Sequence, residues 1–210
     1  LWMVYQKMKD AAQRNNIPNN VLAEAKILYK TLSEKEIITR AMPKQALEAS
    51  CFYKACNVHL LGRTHKEIAK MFKVPVSYMT DGINTFNSLM MDTIHNGTLH
   101  KSELNTVPAY IERYCNLLMI TESHVKVCNA IANNTISMGI LCESIPTSIA
   151  VAAIYFMIQF YKLQLPINSI LDRLAMNKGL FDIPYESIKK KKKPEKALLA
   201  ALTLQSDVTI

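Results

Sequence analysis

Glycine is scarce in this chain, at five of 210 residues. None lies in a cluster able to cradle a phosphate, which excludes nucleotide-binding loops, and neither a G-x-S-x-G elbow nor an H-E-x-x-H metal helix is present. The five histidines, His59, His65, His95, His100 and His124, are scattered, and none stands at metal-ligand spacing from a cysteine or carboxylate. Cysteine is odd in number: Cys51, Cys56, Cys115, Cys128 and Cys142 include no C-x-x-C pair, and four of the five fall in apolar helical stretches. That pattern excludes a disulfide framework and reads as buried free thiols from a reducing compartment. Long apolar runs are also missing. The longest, residues 149–161, is interrupted by Gln159 and falls short of the roughly 20 residues a membrane span needs. With no catalytic constellation, an enzyme is not expected, nor is a cofactor within these residues.

What is plentiful is Leu, Ile, Ala, Met and Lys, and half of the chain is apolar. That balance favours helix over strand and allows one large domain or two of about 100 residues. The net charge of +8 implies an acidic partner, most often nucleic acid and less often a membrane surface. The chain opens Leu1-Trp2-Met3-Val4, without an initiator methionine, and we expect a fragment with an N-terminal region missing.

One helical module is written twice. Ala49-Ser50-Cys51-Phe52-Tyr53-Lys54-Ala55-Cys56 is followed by Arg63-Thr64-His65-Lys66-Glu67-Ile68-Ala69. Ala150-Val151-Ala152-Ala153-Ile154-Tyr155-Phe156-Met157 is followed by Leu165-Pro166-Ile167-Asn168-Ser169-Ile170-Leu171. By subtraction, Tyr53 and Tyr155 stand 102 residues apart, and so do Ile68 and Ile170. A shared offset at two separate points indicates a duplicated all-α fold and turns the question from catalysis to binding.

Apolar periodicity predicts helices over 1–15 (with Trp2, Tyr5, Met8 and Ala12 on one stripe), 19–33 and 43–58. A fourth covers about 65–72, opened by Thr64 and Glu67 at capping-box spacing. A fifth covers 78–92, capped by Ser77 and carrying Met79, Ile83, Phe86 and Met90. Residues 93–106 read as a polar linker. The second copy repeats the order near 107–118, 122–138, 146–162, 166–175 and 181–191. The expected organisation is a first five-helix repeat over 1–92, a second over 107–193, and a tail over 194–210 with a short helix at 195–202.

The helices at 65–72 and 78–92, joined by a tight turn, make a helix-turn-helix-like unit. Its first helix gathers Arg63, His65, Lys66, Lys70 and Lys73, and helical spacing puts Lys66, Lys70 and Lys73 on one face. Such a face suits phosphate contacts, and a solvated surface is the alternative. The run Lys189, Lys190, Lys191, Lys192 and Lys193 resists forming a helix end without an anion. It suits a nucleic-acid backbone contact or a nuclear-targeting patch, against a solvated tail. Tyr53, Tyr155, Phe156 and Phe160 read as core residues, not as stacking platforms.

These motifs resemble the transcription factor IIB family. Ala49 to Cys56 and Arg63-Thr64-His65-Lys66-Glu67-Ile68 are similar to its "ACLYIAC … RTFKEI" signature, and Ile17-Pro18-Asn19-Asn20-Val21 and Ala25 to Lys30 also fit. Ile145-Pro146-Thr147-Ser148-Ile149-Ala150-Val151-Ala152-Ala153-Ile154-Tyr155 is similar to its "SPISVAAAAIY" helix, and Tyr114 to Leu118 to its "RFCSNL" segment. The resemblance covers about residues 1 to 190 and implies two tandem cyclin-like repeats. It implies a monomeric initiation factor that bridges promoter DNA, a TATA-binding protein and DNA-directed RNA polymerase. It places Arg40, Lys44, Arg63 and Lys66 where the first repeat nears the DNA backbone.

The second repeat departs from the family. Pro166 to Leu171 stand in place of T-x-K-E-I-G, and the segment Asn177-Lys178-Gly179-Leu180-Phe181-Asp182 does not match the family's base-reading residues, leaving Lys178 as its basic group. The zinc ribbon through which the family meets polymerase is not among these residues and would belong to a preceding segment. The divergence and the lysine-rich end resemble the version carried by a large DNA virus, which implies action at the site of transcription, in a nucleus or a cytoplasmic viral factory. The alternative is a cyclin-type adaptor or kinase activator that does not touch DNA.

Overall fold

The computed structural model describes residues 1–35, 41–91, 106–139, 144–174 and 176–190. Among them the only regular elements are helices. The chain divides into two compact units, Leu1–Ser102 and Glu103–Ile210, each with its own core.

The first unit holds α1 (Trp2–Arg14), α2 (Asn19–Lys35), α3 (Ala41–Val58), α4 (His65–Phe72) and α5 (Val76–Leu89). Helix α3 is its centre, packed against α2, α4 and α5. Small residues explain why: Ala46, Ala49, Cys51, Ala55 and Cys56 are all buried and let neighbouring backbones close in around Phe52. Gly82 carries this furthest, because a Cβ there would lie 2.6 Å from the Ala46 carbonyl oxygen, so α5 rests flush on α3.

The second unit holds α6 (Val107–Leu117), α7 (Glu122–Ser137), α8 (Pro146–Phe160), α9 (Ile167–Arg173) and α10 (Lys178–Lys190). Here α8 is central, buried without a break from Ser148 to Ile154 and packed against α6, α7 and α10. Tyr155, Phe181 and Tyr185 join α8 to α10, with ring centroids 5.0 to 5.3 Å apart.

The duplication extends to how helices stop. Asn16 (φ 51°) ends α1 in the left-handed region, and Ile17 N–H donates to the Ala12 carbonyl at 2.9 Å. Met119 (φ 60°) ends α6 in the same way, with Ile120 donating to Cys115 at 2.9 Å. Leu60 and Lys162 end α3 and α8, with Leu61 donating to Cys56 and Leu163 to Ile158, each at 2.9 Å. Val74 donates to Ala69, and Met176 to Leu171, again at 2.9 Å. These bonds satisfy carbonyls that a helix end leaves open.

Several expectations shift. Trp2 is 77 % exposed, and the buried stripe of α1 is Val4, Met8, Ala11 and Ala12. The cap of α5 is Pro75, not Ser77: proline's fixed φ suits the start of a helix, so α5 begins at Val76. Helix α10 starts at Lys178, three residues early, and runs through Pro184. Phe160 lies at the exposed end of α8 instead of in the core. Lys189 and Lys190 are the last two residues of α10, so the first two lysines of the run are helical. Cys51, Cys56, Cys115 and Cys128 are buried free thiols as expected. Burial pushes Cys56 up to about 12 and Cys51 higher, so neither is a nucleophile at neutral pH. Cys142, most of the linker and the tail helix lie outside the described residues.

Candidate nucleic-acid interface

Helix α4 is placed by its own first turn. Thr64 N–H donates to Glu67 Oε2 at 2.9 Å, and Glu67 N–H donates to Thr64 Oγ1 at 3.2 Å, a complete capping box. Ile68 and Ala69 then face the core, which leaves Lys66 and Lys70 exposed one turn apart. Lys73 follows in the left-handed conformation, φ 55° and ψ 40°, also exposed. The chain reverses on buried Val74, and Pro75 opens α5. Among the described residues, no ion pair engages Lys66, Lys70 or Lys73. These three positive charges are therefore held on one surface with their heads in water.

The other basic residues are distributed differently. Arg63 is half-buried: Nη2 donates to the Asn15 carbonyl at 3.3 Å, and Nη1 lies 3.9 Å from Glu67 Oε1. Its guanidinium ties the α1 end to the α4 cap, which is a structural commitment. His65 is half-buried at the first residue of α4. Lys44 is exposed in the first turn of α3, and Arg40 lies outside the described residues. Lys178 and Lys189 are exposed near opposite ends of α10, roughly 16 Å apart at a helical rise of about 1.5 Å per residue. Lys190 ends that helix, and Lys191, Lys192 and Lys193 lie outside the described residues.

Sequence reasoning passes over the outer face of α5. Met79, Gly82 and Phe86 point inward, so Ser77, Thr80, Asp81, Asn84 and Ser88 are exposed. The signal was available in the spacing of those polar residues between the apolar ones. Shifting these positions by 102 residues shows how differently the second copy is decorated. Lys66 and Lys70 become Asn168 and Asp172, while Ser77, Thr80 and Asn84 become Gly179, Asp182 and Glu186. Thr64 becomes Pro166, which gives α9 no side-chain cap.

Residues 2–89 match the model of the transcription factor TFIIB repeat. A transcription initiation factor IIB-like protein of Acanthamoeba polyphaga mimivirus is 33 % identical over 91 % of this chain and 43 % of its own length. Transcription initiation factor IIB 2 of Thermoplasma acidophilum is 26 % identical over 74 % of this chain and 48 % of its own. The human transcription initiation factor IIB is 23 % identical over 72 % and 45 %. The chain spans a little under half the length of these relatives. The matched motifs, the duplicated helical frame and the relatives agree that the chain is a divergent core of the transcription factor IIB family.

Proposed function

We propose that this chain binds promoter DNA together with a TATA-binding protein and helps to recruit a DNA-directed RNA polymerase. In this reading it acts by binding and carries out no reaction of its own. The observation that carries the reading is the face of Lys66, Lys70 and Lys73, presented by a capped helix and engaged in no ion pair among the described residues, in a member of this family. Lysine is a point charge without forked geometry, so these contacts supply affinity and salt dependence. Lys178 and the run from Lys189 to Lys193 add positive charge in the second unit. The place of action is the site of transcription, whether a nucleus or a viral factory.

The test is a salt titration of binding to a promoter duplex, with and without a TATA-binding protein. We expect affinity to fall steeply with salt and to rise with the partner. Replacing Lys66, Lys70 and Lys73 together with Gln should reduce the log–log slope by close to one unit per lysine. Replacing Lys189 to Lys193 together reports whether the tail touches DNA.

A protein-only adaptor of the cyclin type is the second reading. It is favoured by α10, where Ile183 is 72 % exposed beside exposed Leu180, Asp182 and Glu186. It predicts no salt-sensitive binding to any duplex, even at low salt.

A further inference from the structure

The hairpin of α4 and α5 has a fixed inner side. Ile68, Ala69, Met79 and Phe86 are buried in the first core, and Gly82 leaves no room between α5 and α3. Its outer side is therefore presented at a set height, and its two helices carry different chemistry. Helix α4 shows Lys66 and Lys70, with Lys73 in the turn. Helix α5 shows Ser77, Thr80 and Asn84, which fall on one stripe at helical spacing.

Each group on that stripe has a partner on a base edge. A carboxamide makes a bidentate pair with adenine N6 and N7, and hydroxyls serve either donors or acceptors. The Thr80 hydroxyl donates to the Val76 carbonyl at 3.3 Å, which leaves its oxygen as an acceptor. Asp81, exposed beside the stripe, repels phosphates, and the base-edge group its carboxylate can accept from is cytosine N4. Lysines on the first helix and short polar groups on the second follow the division of labour of a helix-turn-helix, in which one helix crosses the backbone and the other lies in the major groove.

The second copy serves as an internal comparison. At the matching positions it carries Asn168, Asp172, Gly179, Asp182 and Glu186, so three carboxylates stand where the first copy has Lys70, Thr80 and Asn84. At these positions the first copy suits a duplex better than the second, whose exposed Arg173, Lys178 and Lys189 stand elsewhere on α9 and α10.

We propose that α5 enters the DNA major groove and reads base edges through Ser77, Thr80 and Asn84, while Lys66, Lys70 and Lys73 hold the flanking phosphates. The proposal rests on the DNA-binding reading above and places sequence recognition in the first unit.

The experiment is selection from randomised duplexes by the full chain, with and without a TATA-binding protein, followed by anisotropy titrations of the selected duplex against a scrambled one. The variants are Ser77→Ala/Thr80→Ala/Asn84→Ala, Lys66→Gln/Lys70→Gln/Lys73→Gln, and Asp182→Ala/Glu186→Ala as a control on α10, each checked for an unchanged helical spectrum and melt. The wild type should prefer its selected site by roughly tenfold or more. The α5 variant should lose that preference while keeping its affinity for the scrambled duplex and its salt slope. The lysine variant should weaken both duplexes alike, and the α10 control should keep the preference. A wild type with no preference, or an α5 variant with an unchanged selected site, overturns the proposal and leaves the DNA-binding reading standing. Failure to bind any duplex at low salt overturns both.

Discussion

Glu48 lies inside the first core at 2 % exposure, with the half-exposed Lys7 ammonium 3.6 Å away. Burial raises its carboxyl above the usual range, and Lys7 opposes that shift without cancelling it. A carboxyl raised on folding contributes stability below its unfolded value of about 4.3, and that contribution is lost as pH rises through the folded value. Glu48→Gln should therefore gain stability relative to the wild type as pH rises from about 4 to neutrality, read in urea melts across that range. A variant that loses stability at neutral pH would mean that the pair with Lys7 outweighs burial. Met119, at φ 60° and 87 % exposed, and Lys162, at φ 53°, hold a conformation that costs a side-chain-bearing residue about 1 kcal/mol. Met119→Gly and Lys162→Gly should each raise the melting temperature, and an unchanged or lower one would show no strain at these helix ends.

At the scale of helices, two glycines should respond in opposite directions. Gly82→Ala sets a Cβ against the Ala46 carbonyl oxygen and Ser50 Oγ, at 2.6 and 2.7 Å, and should cost about 2 kcal/mol or more as α5 is pushed off α3. Gly179→Ala meets nothing within 4 Å and should stabilise α10 by up to about 1 kcal/mol. Thr64→Ala removes the α4 cap and should cost about 1 kcal/mol. Denaturant melts of the three variants check all three. Helix α2, expected over 19–33, runs Asn19–Lys35, and the apolar period that marks it, Val21, Leu22, Ala25, Leu28, Tyr29 and Leu32, is its buried face. The capping box of α4 was equally legible, because both of its partners lie within four residues. Trp2 misled, since its spacing fits the stripe of α1 but, among the described residues, nothing covers the start of that helix enough to bury it. The inward role of Arg63 was invisible because its acceptor, the Asn15 carbonyl, is 48 residues away. Gly82 gave no sign of its contact either, since a close approach between helices depends on the crossing and not on local pattern.

At the scale of the whole chain, positive charge and fold symmetry do not follow the same plan. The helix ends repeat in backbone geometry, yet exposed Lys66, Lys70 and Lys73 outnumber Asp81 on α4–α5, while Arg173, Lys178 and Lys189 are balanced by Asp172, Asp182 and Glu186 on α9–α10. Every member of the first core cluster lies between Val4 and Met90. A chain ending at Ser102 should therefore unfold cooperatively by itself, with a single denaturant transition followed by circular dichroism. A broad, featureless melt would show that it borrows stability from the rest. The same confinement bears on how the protein is made. Elongation at about 5–20 residues per second leaves the stretch from Glu103 to Ile210 needing roughly 5–20 s, far longer than a small helical unit takes to fold. The first repeat is then finished on the ribosome before its twin has been translated, and two near-identical frames in one polypeptide have little chance to exchange helices.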